Sequence, residues 1–88
     1  MAYAIELTPK AADELRKLAR SVQRRVLRWL GLLAEDPRRA GTRQLAGRPH
    51  LRRVHAGRDY VIVYSVRRTK LLVLVVRIAH RRDVYRRL

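Results

Sequence analysis

Residues 51–80, LRRVHAGRDYVIVYSVRRTKLLVLVVRIAH, decide the fold. Three runs rich in Val, Ile, Leu and Tyr lie in this stretch: Leu51–Ala56, Tyr60–Val66 and Leu71–Ile78. Branched and aromatic side chains suit a pleated, half-buried surface, and each run is too short for an ordinary helix. Gly57-Arg58-Asp59 and Arg67-Arg68-Thr69-Lys70 separate the runs and serve as turns. The pattern predicts a three-stranded antiparallel meander. The third run is apolar almost throughout, which predicts a central strand covered on both faces.

Upstream, the pattern changes period. Tyr3-Ala4-Ile5-Glu6-Leu7 alternates and predicts a short first strand. Thr8-Pro9 has the form of a helix start, with Thr as the cap and Pro in the first turn. Ala12, Leu15, Leu18 and Ala19 then form one stripe, with Lys10, Arg16, Lys17 and Arg20 outside it. Ser21 is the expected cap of a second helix, whose inner stripe is Val22, Val26, Leu30, Leu33 and Ala34, with Trp29 beside it. Asp36-Pro37 closes that helix. Residues 37–50 hold Pro37, Gly41, Gly47 and Pro49 and read as a basic loop. The expected architecture is α+β. A strand, a two-helix hairpin and the meander follow in order, with the helices on one face of the sheet. The tail from His80 begins a short helix or turn, and residues 1–88 form a single domain.

A chain of 88 residues has a thin core, since about 60–65% of its unfolded surface is buried on folding. There is no cysteine, hence no disulfide and no thiolate metal site. The opening MAYAIELTPK lacks the basic lead and apolar run of a signal peptide. No apolar run approaches the roughly 20 residues of a membrane span. A cytoplasmic protein with no membrane partner is expected.

Charge is the strongest compositional signal. There are 22 Lys and Arg against seven Asp and Glu, a net of +15. Residues 1–36 carry seven basic and five acidic side chains, whereas residues 37–88 carry fifteen and two. Nineteen of the basic residues are Arg, the better side chain for bidentate phosphate contacts and base stacking. An Arg-rich solvated face is the bland explanation, but it does not account for the asymmetry. A polyanion-facing second half does, and RNA is the expected partner.

His50, His55 and His80 lack ligand spacing, and only Asp59 and Asp83 are acidic after residue 36, so neither metal nor cofactor is expected. There is no Gly-rich phosphate loop and no Ser-His-Asp set. Metal-free RNA cleavage remains, in which the 2′-hydroxyl attacks the adjacent phosphate. Such a reaction needs one proton removed, one donated and the extra negative charge neutralised. Arg53 and His55, two apart on a strand, share a face, while Val54 between them points to the core. Leu51 has the same parity, so that face is not wholly polar. His80-Arg81-Arg82 and Tyr85 form a second cluster. Solvated sheet and tail residues are the plainer reading of both groups. Tyr60 and Tyr64 share a strand face and read as packing residues, as does Trp29 on its helix.

Taken together, these segments resemble the RelE/ParE toxin superfamily. The likeness is carried by Gln44-Leu45-Ala46-Gly47, Leu51-Arg52-Arg53-Val54, Gly57 to Tyr64 and Arg77 to Tyr85, with the Thr-Pro-Lys-Ala helix start and Asp36-Pro37 at matching places. The resemblance implies a microbial-ribonuclease-like α+β toxin. It also implies a cognate antitoxin, contributing an acidic, amphipathic segment to a toxin–antitoxin hetero-oligomer. RelE-like members cleave mRNA on the ribosome; ParE-like members inhibit DNA gyrase without nuclease chemistry. Carried over by position, the basic pair of the RelE strand falls on Arg53 and His55, the Arg of the ending on Arg81 and the terminal catalytic Tyr on Tyr85. The Arg that RelE members usually have after the second meander strand's Tyr is Val61 here, leaving Arg58 and Arg77 as candidates for its role. Arg43, Arg48, Arg52, Arg77, His80 and Arg82 are the further residues expected to bind RNA. A catalytically degenerate RNA-binding homologue is a third reading.

Overall fold

β1 (Ala4–Leu7) leads into α1 (Pro9–Lys17) through Thr8, whose hydroxyl accepts the Ala11 N–H at 3.2 Å. Pro9 fits the first turn, where no N–H is needed. The computed structural model describes residues 2–86 and 88. α2 (Arg20–Glu35) starts two residues earlier than a Ser21 cap implied: Ala19 holds the cap position, with no side-chain cap, and Ser21 lies exposed in the first turn. Gln23 of α2 ties the helices together by donating to the Leu15 carbonyl at 3.0 Å. The buried stripe of α1 is also shifted. Ala11 is its fully buried residue, Leu15 and Leu18 pack partly, and Ala19 is exposed.

Residues 37–50 are not all loop. β2 (Arg43–Leu45) pairs antiparallel with β3 (Arg48–His55), which pairs in turn with β4 (Tyr60–Arg67). A single 3₁₀ turn, Arg68–Lys70, then reverses the chain into β5 (Leu72–His80). The five-stranded sheet has the order β1-β5-β4-β3-β2, with β1 parallel to β5 and the rest antiparallel. The middle strand is therefore β4, not β5, and residues Val61–Ser65 of β4 are buried on both faces. β5 is an inner strand, flanked by β1 and β4.

The helix-side core joins Val26, Leu30 and Leu33 of α2 to Val54, Ile62, Tyr64, Val73, Val75 and Ile78 of the sheet. Tyr64 has no exposed surface, and its hydroxyl donates to the Pro37 carbonyl at 2.6 Å. That bond anchors the end of α2 to the sheet centre. The opposite face carries a smaller cluster of Leu51, Val61, Val63 and Val84. Val84 belongs to the tail, a chain of turns over residues 81–86 that folds back onto the face the helices leave open. Burying one such side chain contributes about 1.5–3 kcal/mol. Among the described residues, no helix is long and apolar enough to cross a membrane.

Candidate functional site

Strand parity splits the basic residues of β3 between the two faces. Val54 points to the helices, so Arg53 and His55 point to the open face, and Arg52 turns the other way. Arg52 donates through Nη2 to the Thr42 hydroxyl at 2.8 Å and is half-buried. The register places Arg43 opposite Arg53, Arg53 opposite Val63, and Val63 opposite Arg77. Directly opposed residues share a face, so one row across four strands carries three arginines. The next row is His55, Val61 and Ala79. Val61 is fully buried there, so the residue standing where RelE members have Arg is part of the apolar floor under the tail.

Like charges opposed across a strand pair are destabilising. Arg43 and Arg53 are opposed in this way, and among the described residues neither has an acidic partner within ion-pair distance. Arg48, Arg58 and Arg82 are likewise exposed and without such a partner among the described residues. The open face and its rim thus hold unneutralised cationic charge.

The tail brings up the second cluster. The Arg81 N–H donates to the Asp59 carbonyl at 2.7 Å, and the Arg81 side chain stands 3.8 Å from the Asp59 carboxylate. This fastens the start of the tail to the β3–β4 turn, where Arg58 lies exposed. Arg58 and Arg81 therefore share one end of the sheet. The His80 ring meets the Tyr60 ring edge-on at 5.6 Å, and His80 Nδ1 accepts the Arg82 N–H at 3.2 Å. Val84 is buried against Val61 and Val63, and Tyr85 next to it is 47% exposed. The Tyr85 backbone is thus held over the open face by its neighbour.

Arg77 has a different place from the one expected of a phosphate ligand. Its Nε and Nη2 meet the Glu14 carboxylate at 3.0 and 2.9 Å, and its Nη1 donates to the Arg86 carbonyl at 2.8 Å. Glu14 also accepts the Ile78 N–H at 2.9 Å. β1 pairs with β5 only as far as Val75, so Glu14 caps a strand edge that would otherwise lie bare. The guanidinium is consumed in joining α1, β5 and the tail. Sequence reading missed Glu14, although one signal was present. Three residues after Ala11 and four before Leu18, it sits on the inner side of its helix.

Burial pushes the Tyr64 phenol above its ordinary value, with Thr42, Arg52 and Arg38 acting in the other direction. It is a protonated anchor at neutral pH, not a base. Among the described residues, no three His, Asp or Glu side chains are grouped to hold a metal ion.

The fold is shared with solved toxin structures. The isolated RelE toxin of Escherichia coli matches with a TM-score of 0.79 at 28% identity, over 90% of this chain and 84% of that one. The intact E. coli RelBE toxin–antitoxin complex matches at 0.78 and 29%, over 89% of this chain and 95% of that one. The toxin–antitoxin complex RelBE2 from Mycobacterium tuberculosis matches at 0.81 and 22%, over 92% and 100%, a likeness of fold. No curated protein matches the chain. Residues 5–85 match the family model described as the ParE toxin of the type II toxin–antitoxin system parDE, and the chain belongs to that family.

Proposed function

We propose that this toxin is a metal-free endoribonuclease that cleaves mRNA on the ribosome in the cytoplasm. The observation that supports the reading is that Arg53 and His55 share the open face onto which the tail carrying Tyr85 folds, with Arg81 and Arg58 at its end. In the reaction the 2′-oxygen bonds to phosphorus, the bond from phosphorus to the 5′-oxygen breaks, and a 2′,3′-cyclic phosphate and a 5′-hydroxyl result. His55 or Tyr85 takes the 2′-hydroxyl proton. Arg53 and Arg81 neutralise the charge that builds on the phosphate, and Arg58 hydrogen-bonds the leaving 5′-oxygen, which takes up a proton from water. Arg43, Arg48, His80 and Arg82 line the approach for the RNA backbone. Arg77 acts as a positioning residue, holding the tail that carries Tyr85. The incomplete set of acid–base groups favours a substrate positioned by the ribosome, because positioning alone supplies much of a rate enhancement. Relatives crystallised as toxin–antitoxin complexes support a cognate antitoxin here, whose acidic, amphipathic segment would neutralise the open face.

The test is a translation reaction with purified protein, read by primer extension on the messenger. Cuts within codons are expected, reduced by roughly a hundredfold or more in Tyr85→Phe and in Arg81→Ala. An intact messenger, or full activity in both variants, refutes the assignment. A second reading, inhibition of DNA gyrase without nuclease chemistry, is favoured by Val61 in place of Arg and by the family match. Gyrase inhibition that survives loss of Tyr85 selects it.

A further inference from the structure

The sheet opens between the far ends of β3 and β4. Their pairing runs from His55↔Val61 to Arg52↔Tyr64 and stops there. Before Arg52, β3 keeps only β2 on its other edge, through Leu45↔Arg48, while β4 continues through Ser65 to Arg67 against β5. The gap is a cleft of about 440 Å³ whose lining includes Arg38, Gln44, His50, Arg52, Ser65 and Arg67. Three guanidinium groups and an imidazole meet there, and no carboxylate lines it. Two buried polar atoms on its wall, Arg52 Nε and Ser65 Oγ, have no partner among the described residues. Ser65 is 6% exposed and is the one non-aromatic polar residue between Val61 and Val66. A hydroxyl without a partner is costly at such a position, where another valine would simply pack.

The cleft adjoins the open face. His50, Ser65 and Arg67 also line a second groove, floored by Leu51, Leu74 and Val76. Leu51 lies two residues from Arg53, so the cleft and the proposed cleavage site sit along one continuous surface. Arg67 is four residues along β4 from Val63, the partner of Arg53. At ~3.3 Å per residue that is roughly 13 Å, too far to share the scissile phosphate.

We propose that this cleft is a second phosphate subsite, which grips a backbone phosphate of the single-stranded RNA away from the bond that is cut. Arg38, Arg52 and Arg67 supply the charge, and Ser65 Oγ donates a hydrogen bond. The proposal rests on the ribonuclease reading for the identity of the polyanion. A phosphate group accepts hydrogen bonds from several directions at once, which suits donors on opposite walls better than a planar carboxylate does. Binding at a remote phosphate would hold the RNA in register over Arg53 and Tyr85.

The test uses a fluorescein-labelled 2′-O-methyl RNA oligonucleotide, which lacks the nucleophile and survives the enzyme. Its affinity for the full chain is followed against salt. Removing one phosphate contact should lower the slope of log K against log salt by about 0.7. That drop is expected for the double variant Arg38→Ala/Arg67→Ala, and restoration for Arg38→Lys/Arg67→Lys. Ser65→Ala should weaken binding severalfold at an unchanged slope. Thermal melting of each variant separates lost contacts from lost fold. A wild-type slope in the alanine double variant overturns the subsite while leaving RNA binding intact. RNA affinity unchanged in that variant, with loss of its grip on an acidic antitoxin peptide, overturns it in favour of a protein dock. No RNA binding by the wild type overturns the subsite, whereas the ribonuclease reading is decided by cleavage on the ribosome. A lowered slope in a protein that leaves messenger uncut sinks only the latter.

Discussion

Glu14→Ala removes the carboxylate on which α1, β5 and the tail converge. Arg77 Nε at 3.0 Å, Arg77 Nη2 at 2.9 Å and the Ile78 N–H at 2.9 Å all lose their acceptor. The side chains of Arg77 and Glu14 are 13% and 15% exposed. A fully exposed pair is worth less than about 1 kcal/mol. Breaking a buried pair by removing one partner costs about 3–5 kcal/mol, because the other charge is left stranded. Partial water access to Arg77 trims this to about 2–4 kcal/mol. For a domain of 88 residues each kcal/mol moves Tm by about 4–8 °C, so melting should fall by roughly 10–25 °C. Urea and thermal denaturation followed by circular dichroism measure it directly. Glu14→Gln keeps an acceptor for Ile78 and should recover part of the loss. A cost below about 1 kcal/mol for Glu14→Ala would place the pair among exposed ones and refute the account of the tail's tether.

Two further outcomes follow from the backbone and the core. Tyr64→Phe leaves the Pro37 carbonyl without its donor and should cost about 1–3 kcal/mol at neutral pH. Because burial raises the phenol above its unfolded value of 10.0, its contribution is whole below that pH and is lost as pH rises through the folded value. Urea midpoints of wild type and Tyr64→Phe should therefore converge above pH 10, and parallel curves would rule this out. Gly57→Ala puts a Cβ at φ +85° and 2.6 Å from Arg25 Nη1. The arginine end can swing away, so the remaining cost is the left-handed backbone, about 1–2 kcal/mol. An equal loss in the Arg25→Ala background is expected, and full recovery there would assign the cost to the contact instead.

The meander and both helices are legible in the sequence because their signals are local. Thr8-Pro9 marks a helix start wherever it falls, and the Val, Ile and Tyr runs make strands from nearest-neighbour preference. β2 escaped because Arg43–Leu45 has three residues, two of them exposed, and only Leu45 turns inward. No period can be read from so short an edge. β4 holds the centre because β2, the strand that escaped, extends the sheet beyond β3 while β1 extends it beyond β5. At the candidate site, the alternation of Arg53, Val54 and His55 showed which side chains share a face. Arg77, equally basic on paper, is drawn off by Glu14. Charge counts report how many arginines exist, but an acid 63 positions away decides whether one is free.

The parallel pairing of Ala4–Leu7 with Leu72–Val75 also governs when the molecule comes into being. Thr8 and Val76, 68 positions apart, close the same seam. Contacts this distant in sequence form slowly, since the entropy of closing the loop must be met first. A nascent chain lacks β5 until residues 72–80 have been made, so β1 and the helices emerge with no inner strand to dock against. The seam therefore sets an order: the sheet closes only after residues 72–75 have been made.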